Sequence, residues 1–318
     1  MNLKPGMKLK PGIKPNSGMK LKPGQLKVMI AFMVIPLILL LVFTYIPFGK
    51  MVSFSFYNMS YTRNKGFVGL DNYIKVFKRD DCFKALRLSL YYMVGSVVQL
   101  TLALFLASIL STNIKGRNVF RGFMFFPFLI SGIAVGFIFK FFYTHGFVLD
   151  TVLTSLGMNL DNLPYWLKDQ RVNNWSLVGT SIWRYFGQNM VLFIGAIMSI
   201  DGEMFEAATL DGASEFQKFR YITLPNIKTI FVLNVIMSIS GSLSAFEPPY
   251  VITDGANGTG TYFVIMHQIA HTQNKLGLAS AMAVVLLLII IIVTVLQKVF
   301  FDEVMPSDDS GKGSVSAG

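Results

Sequence analysis

The chain has 318 residues, of which 53% are hydrophobic and only 14% are charged, and its formal net charge is +11. Soluble globular domains carry roughly 25% charged residues, so this composition excludes a soluble domain. Nucleic-acid binding is also disfavoured, because seven lysines lie in the first 27 residues, directly before an apolar run, where membrane proteins anchor their cytoplasmic end.

The basic N-terminal segment, residues 1–27, repeats Leu-Lys-Pro-Gly at 3–6, 9–12 and 21–24. Proline and glycine at this density oppose helix formation, and the lysines repel one another, so we predict a disordered arm. Such an arm is either a solvated tail that helps to orient the chain or a segment attracted to anionic lipid. The single cysteine, Cys82, excludes an internal disulfide bond.

Long apolar runs follow the arm. A helix needs about 20 apolar residues to cross a hydrocarbon core of ~30 Å, and these runs lack the alternation of barrel strands. Spans are predicted at 28–49, 85–110, 119–142, 176–200, 227–252 and 277–300. We therefore predict an all-α integral membrane domain of six transmembrane helices over residues 28–300, followed by a flexible tail at 301–318.

The segments between the spans predict the orientation. An amphipathic segment at 50–84, a polar loop at 143–175 and a Gly-rich loop at 253–276 are assigned to the outside. Six spans place both termini in the cytoplasm, together with a short basic loop at 115–121 and a polar insert at 201–225. The segment at 50–84 is also basic, and this is the one observation against the assignment.

The polar insert is amphipathic and has recognisable helix boundaries. Asp201 is predicted to cap a first short helix, and Gly212 to end it in the left-handed conformation. Ser214 begins a capping box for a second helix, and Pro225 is expected to end the segment before the fifth span. The insert is either a rigid knob for a soluble partner or an amphipathic surface helix lying on lipid headgroups.

The insert reads Glu-Ala-Ala, three residues, Gly, nine residues, Ile, one residue, Leu-Pro. This spacing resembles the cytoplasmic coupling motif of permeases in binding-protein-dependent ABC importers. The matching residues are Glu206, Ala207, Ala208, Gly212, Ile222, Leu224 and Pro225. The resemblance implies a type I ABC importer permease fold, in which a coupling helix sits in a groove of a separate ATPase subunit.

Other segments are similar to carbohydrate importers in particular. Residues 67–73 match Phe-x-Gly-Leu-x-Asn-Tyr, and residues 116–121 with Pro127 are also similar. The combination resembles permeases of maltose-like, glycerol-phosphate and multiple-sugar systems. Residues 253–258 replace a common Thr-x-Gly-Gly-Pro, which leaves the shape of the outer loop open, and the Lys-Pro-Gly arm has no counterpart.

The resemblance also implies the partners and the location. They are a second homologous permease in a heterodimer, two ATPase subunits, an external solute-binding protein and a carbohydrate substrate, in the bacterial cytoplasmic (inner) membrane. We expect no catalytic residue, no cofactor and no metal in this chain, which is not an enzyme. The sequence has no phosphate-binding loop, so ATP and Mg are expected in the partner ATPases.

Polar side chains inside the spans are candidates for function, because they are costly in a membrane. On the fourth span Ser181 shares one face with an arginine, a tyrosine and amides, groups that suit sugar hydroxyls. The candidate path residues are Trp183, Arg184, Tyr185, Gln188, Asn189, Asn234 and Ser238. Equally, Arg184 could form a structural ion pair, with Glu247 as its partner, and the amides could link helices.

Two other functions are compatible with these residues. One is a proton-coupled secondary sugar transporter in which Arg184 and Glu247 couple to the proton. The other is a membrane scaffold whose insert binds a cytoplasmic protein. His267 and His271 lie four residues apart, but they have no Cys and few acids nearby, so we interpret them as an exposed polar face rather than a metal site.

Overall fold

The computed structural model describes residues 23–61, 63–112 and 114–304. The described chain is helical apart from one small hairpin and the connecting turns. Most of the predicted arm, residues 1–22, and most of the predicted tail, residues 305–318, lie outside the described residues. The chain divides into two compact units, Met1–Ser53 and Phe54–Gly318, and each is described by itself.

The first unit contains one long helical segment. Helix α1 (Pro23–Leu40) continues through a π-helical turn (Leu41–Tyr45) into α2 (Ile46–Phe54). Residues 23–27 are therefore helical rather than disordered, a correction to the predicted arm.

The second unit begins with an antiparallel hairpin, β1 (Tyr57–Met59) and β2 (Asn64–Phe67), in which Tyr57 pairs with Phe67. Its helices are α3 (Asp71–Lys78), α4 (Asp80–Leu110), α5 (Arg117–Leu129), α6 (Gly132–Tyr143), α7 (Val148–Ser155), α8 (Asn173–Met198), α9 (Gly202–Leu210), α10 (Glu215–Lys218), α11 (Leu224–Asn226), α12 (Lys228–Leu243), α13 (Glu247–Thr253), α14 (Tyr262–His271) and α15 (Leu276–Val304). A 3₁₀ turn (Leu160–Asn162) follows α7, and a π-helical turn (Phe219–Thr223) joins α10 to α11.

The core of this unit lies where α4, α8 and α5 pack together. Ala103 and Ala107 of α4 are fully buried against Met190 and Phe193 of α8. On α8, a Cβ at Gly187 would overlap the backbone of α5 at Met124. Apolar burial drives helices together weakly in lipid, so close packing through small residues is what holds this core.

The predicted third span, 119–142, is not one helix. Helices α5 and α6 are bent by 95° at the two residues between them. Pro127 removes a hydrogen-bond donor near the end of α5, and Ser131 caps α6 by accepting a hydrogen bond from the backbone N–H of Ala134 at 3.3 Å. A break at this depth is tolerated when it is buried in protein or lines a cavity.

The predicted fifth span, 227–252, has a short interruption but not the sharp bend found between α5 and α6. Helix α12 ends at Leu243, and α13 begins at Glu247 after three residues. Pro248 and Pro249 occupy the first turn of α13, where a proline needs no hydrogen-bond donor. Glu247 therefore lies at the start of a new helix rather than inside a continuous span.

Four helical segments among the described residues are long and apolar enough to cross a membrane. They are Val28–Phe54, Asp80–Leu110, Lys228–Thr253 and Leu276–Glu303, and a fifth is counted if α5 and α6 form one span. Helix α8 corresponds to the predicted fourth span, 176–200. With 26 residues α8 is long enough to cross a membrane, but its polar residues make it less apolar than the four helical segments named above.

The predicted outer segments contain more structure than expected. The hairpin and α3 occupy 50–84, α4 begins five residues early at Asp80, and α7 lies within 143–175. Helix α14 lies in the segment predicted as a Gly-rich loop, because its apolar residues pack against α15. Helix α15 continues to Val304, so the first residues of the predicted flexible tail are helical.

Candidate functional site

The polar insert forms the short helices predicted from its caps. Asp201 accepts a hydrogen bond from the backbone N–H of Glu203 at 3.0 Å and begins α9. Gly212 follows α9 with φ of +78°, the left-handed conformation that favours glycine. Ser214 and Gln217 form the reciprocal capping box that begins α10. The structure thus confirms these three predicted boundaries.

The end of the insert differs from the prediction. Pro225 does not end the helical segment, because it lies inside α11, after the π-helical turn. The π-helical turn widens the helix just before Pro225, which has no backbone N–H to donate. The side chain of Asn226 donates to the carbonyl of Ile222 at 2.7 Å, and the backbone N–H of Ile227 to that of Thr223 at 3.1 Å. The local break comes at Ile227 instead.

The motif residues divide into an exposed set and a partly buried set. Glu206, Ala207, Gly212 and Pro225 are exposed, whereas Ala208, Ile222 and Leu224 are half-buried. Three large apolar side chains project beside the exposed set: Leu210, Phe216 and Tyr221 are 89%, 71% and 70% exposed. If the insert faces water, apolar side chains this exposed are typical of a surface that another protein covers.

A cavity of about 520 Å³, with polar side chains set in a largely apolar wall, lies between α4, α8, α12 and the start of α13. Six of the seven candidate path residues lie on its wall, namely Arg184, Tyr185, Gln188, Asn189, Asn234 and Ser238. The seventh, Trp183, lies outside this cavity, with its ring packed edge-on against Phe139 of α6 at 5.2 Å between centroids. Trp183 therefore lies at a helix contact, and its role in the path stays a prediction.

Helix α4 contributes polar residues that the sequence analysis missed. Tyr92, Ser96 and Gln99 lie on the cavity wall, spaced four and three residues apart in an otherwise apolar helix. That spacing puts them on one helical face, and it could have indicated the site. The hydroxyl of Tyr92 is buried with no hydrogen-bond partner in the structure. A ligand hydroxyl in the cavity would supply the missing partner.

Arg184 and Glu247 form an ion pair that joins α8 to α13. The Arg184 guanidinium also lies 5.1 Å from the centroid of the Tyr185 ring. The arginine side chain is only 13% exposed, whereas that of the glutamate is 42% exposed. Gly132, the first residue of α6, lies against both, because a Cβ at this position would overlap the Glu247 carboxylate and the Arg184 guanidinium.

A second buried carboxylate organises the segment after α6, which the sequence analysis assigned to the outside. Asp150 has no exposed surface, and it accepts hydrogen bonds from the Trp166 indole N–H and the Gly146 backbone N–H, both at 2.6 Å. His145 Nδ1 lies 2.9 Å from the same carboxylate. The segment predicted as a polar loop is therefore tied together by one acid.

The two segments predicted as outer loops are also tied to each other. The Asn173 side-chain amide donates to the carbonyl of Asn257 at 2.8 Å, and the Asn257 amide donates to the carbonyl of Leu167 at 3.2 Å. These bonds join the start of α8 to the Gly-rich segment before α14. They make one connected surface at this end of the unit.

The two histidines of α14 lie in an aromatic contact rather than in a metal cluster. The rings of His267 and His271 are 4.3 Å apart, and the ring of Tyr250 lies 4.8 Å from that of His267. Burial and the neighbouring His271 lower the pKa of His267, and Asp254 opposes them. Within the described ranges there is no group of three His, Cys, Asp or Glu side chains that could hold a metal ion.

Residues 99–304 match the family described as the binding-protein-dependent transport system inner membrane component. The chain belongs to this family. Most of the cavity wall and the whole insert lie inside the matched residues. The match thus places the two candidate sites in the part of the chain that defines the transport component.

Individual relatives agree with the family. The chain is 32% identical over 286 residues to the probable ABC transporter permease protein YurN of Bacillus subtilis, covering 87% of this chain and 97% of the relative. It is 32% identical over 282 residues to the multiple sugar-binding transport system permease protein MsmF of Streptococcus mutans, covering 84% and 92%.

A solved structure shows the same fold. A chain from the crystal structure of a bacterial alginate ABC transporter, in complex with an alginate pentasaccharide-bound periplasmic protein, matches with a TM-score of 0.76 and 18% identity. The alignment covers 88% of this transport component and 96% of that chain. The type I permease fold inferred from the sequence is therefore confirmed, with the hairpin as its one non-helical element among the described residues.

Proposed function

We propose that this transport component is the permease subunit of a bacterial ABC importer for carbohydrates and that it forms half of the translocation path. The observation that carries the proposal is the set of polar side chains on the cavity wall. Phenol, amide and hydroxyl groups of Tyr185, Gln188, Asn189, Asn234 and Ser238 line the cavity within a membrane protein. Such groups suit sugar hydroxyls, and relatives of this chain include a permease named for multiple-sugar transport.

The insert is the surface through which ATPase subunits would drive transport. Glu206 is exposed and available to basic or amide groups of a docked ATPase, while Leu210 and Phe216 offer apolar surface. Gly212 provides the bend between α9 and α10. Ile222 and Leu224, which are half-buried, would transmit the movement of the insert into α12.

The complete importer would contain this permease, a second homologous permease, two ATPases that bind ATP and Mg, and an external solute-binding protein. In this proposal the chain crosses the inner membrane six times, with α8 as the fourth crossing and both termini in the cytoplasm. Helix α8 can carry its polar face through the membrane because that face lines the cavity. The connected outer segments would receive the solute-binding protein.

Transport would proceed by alternating access. ATP binding would close the two ATPases, move the docked inserts and open the cavity outward to the binding protein. Hydrolysis would reset the path to the inward-facing form. In this proposal the partner ATPases perform the chemical step, while this chain binds the sugar and changes the side from which the cavity is reached.

The test is a matched pair of substitutions on α9, where Glu203 and Glu206 are both exposed acids. In the complete complex reconstituted in liposomes, Glu206→Gln is expected to lower ATP-driven sugar uptake about tenfold or more, which is the value of one charged hydrogen bond. Glu203→Gln is expected to leave uptake unchanged. Gly212→Pro should abolish uptake without loss of membrane insertion. Equal uptake by the two glutamine variants and by wild type would sink the coupling assignment.

The second candidate is a proton-coupled secondary transporter, which is favoured by the contact between Arg184 and Glu247 in the cavity wall. It requires uptake that continues after ATP depletion while a proton gradient persists, and no ATPase. A scaffold function, by contrast, requires that Arg184→Ala and Gln188→Ala change no substrate flux. Uptake is measured once with ATP alone and once with a proton gradient alone. The two measurements, together with these variants, distinguish the ABC importer, the proton-coupled transporter and the scaffold.

A further inference from the structure

We propose that the Arg184–Glu247 pair makes this chain's wall of the cavity electrically neutral, so that the path selects neutral carbohydrates over those bearing carboxylate or phosphate groups. Glu247 is then a specificity-determining residue, because it pairs with Arg184, the one cationic residue on the described cavity wall that an acidic sugar could bind. This inference rests on the proposed function and names the substrate class of the same site.

The first argument is the set of charges on the cavity wall. Of the described residues that line the cavity, only Arg184 and Glu247 carry a formal charge, and they are paired with each other. The remaining polar groups are neutral amides, phenols and hydroxyls, such as Gln99 and Gln188. The described part of the wall therefore has no net charge, and its one cation is paired with Glu247 through Nη1, while the Nε of Arg184 has no hydrogen-bond partner.

The second argument is the relative exposure of the two partners. Arg184 is the more deeply buried member, and Glu247 is the more exposed one. An anionic sugar that takes the place of Glu247 at the guanidinium would leave a carboxylate without a partner. A charge left unpaired in a site of low polarity is costly, so the displacement is unfavourable. Before displacement, the same carboxylate repels an approaching anion.

The third argument is that the local backbone is built to keep the pair closed. Glu247 begins α13, and Pro248 and Pro249 restrict the backbone that follows it. On the opposite side Gly132 comes so close to both side chains that any larger residue would have to displace them. Three elements, α6, α8 and α13, therefore fix the position of the pair. A fixed neutral pair is an element of selection, because it cannot easily adjust to a charged ligand.

The test compares matched neutral and acidic ligands on the intact complex. The importer is purified with its accompanying subunits from the native host, as wild type and as Glu247→Gln, Arg184→Gln and Glu303→Gln, and is placed in lipid nanodiscs. The probes are maltotriose and cellotriose, each beside the form in which its 6-hydroxyls are oxidised to carboxylates. Equilibrium dialysis with radiolabelled probes measures saturable binding. Glu303, an exposed acid at the end of α15, controls for the loss of one negative charge.

We expect wild type to prefer the neutral form and Glu247→Gln to gain affinity for the carboxylated form by about tenfold or more, because Arg184 is then free to bind it. Arg184→Gln should shift the preference in the opposite direction, and Glu303→Gln should not shift it. Since the two pair variants change the preference with opposite signs, a general loss of folding cannot mimic the result.

Two results would overturn different claims. If wild type binds both forms equally, or if Glu247→Gln and Glu303→Gln behave alike, the charge-selection inference is wrong while the carbohydrate function stands. If wild type shows no saturable binding of any of the four probes, the result contradicts the proposed carbohydrate function itself.

Discussion

Single residues on α8 have different surroundings although they are neighbours in sequence. Trp183 packs on α6, Arg184 pairs with α13, and Gln188 lies on the cavity wall. Each step of 100° along a helix changes the neighbour, so the residue type alone does not decide the role. An aromatic ring in the right span suggested a sugar platform, yet its helical phase turns it towards another helix.

This difference leads to a prediction for two side chains of α8. Gln188→Ala is expected to raise the KM for sugar uptake about fivefold, the value of one neutral hydrogen bond of ~1 kcal/mol. Trp183→Phe keeps an aromatic ring against Phe139 and is expected to leave the KM unchanged. Uptake by the reconstituted complex over a range of sugar concentrations measures both. A larger effect at Trp183 than at Gln188 would mean that the path runs along the other face of α8.

The packing of helices in this chain depends on glycines, which have no side chain, as well as on larger residues. Gly187 lets the backbone of α5 lie directly on α8, and Gly136 of α6 accepts Val251 of α13 in the same way. By contrast, Gly195 of α8 has open space around the position of a Cβ. The consequence is that two glycines of one helix should respond in opposite directions to the same substitution.

We therefore predict opposite stability changes for Gly187→Ala and Gly195→Ala. The first forces α5 away from α8 and should destabilise the complex by about 1–3 kcal/mol, the usual cost of overpacking. The second should be neutral or stabilise by up to about 1 kcal/mol, because alanine favours a helix more than glycine does. Thermal unfolding of the purified complex in detergent shows whether each substitution raises or lowers its stability. A lower unfolding temperature for both variants would mean that Gly195 contacts another subunit.

The sequence predicted those features of the elements that depend on local rules. Asp201, Gly212 and Ser214 follow capping rules that operate within a few residues, and the structure follows them. Arg184 and Glu247 were predicted to pair because isolated charges are costly in apolar spans. The breaks in two spans, the helix α14 and the polar face of α4 were missed. They depend on contacts between distant segments, such as Tyr262 with α15, which a periodic pattern does not contain.

At the scale of the whole molecule, the proposed orientation separates the insert from the external segment by the membrane. Phe216 of α10 and Leu156, which follows α7, are 71% and 76% exposed, so either position can carry a reporter. The native thiol of Cys82 is buried and should not compete for a label.

We predict that Leu156→Cys reacts with a membrane-impermeant maleimide in cells whose outer envelope has been removed and whose cytoplasmic membrane is intact. Phe216→Cys should react only after the cytoplasmic membrane is permeabilised, because it lies on the opposite side. Wild type, with Cys82 alone, is the control and should label in neither condition. Labelling of Phe216→Cys in sealed cells would reverse the orientation and remove the insert from reach of an ATPase.

The two interrupted spans have a mechanical consequence. Gly132 and Glu247 are the first residues of α6 and α13, and they lie against each other, so both interruptions occur at the same level. The two spans are thus joined to each other at the place where each one is interrupted. The helices that begin at these interruptions, α6 and α13, pack closely where Val251 lies against Gly136. We therefore expect α6 and α13 to move as one body, so that a movement of either helix is passed to the other.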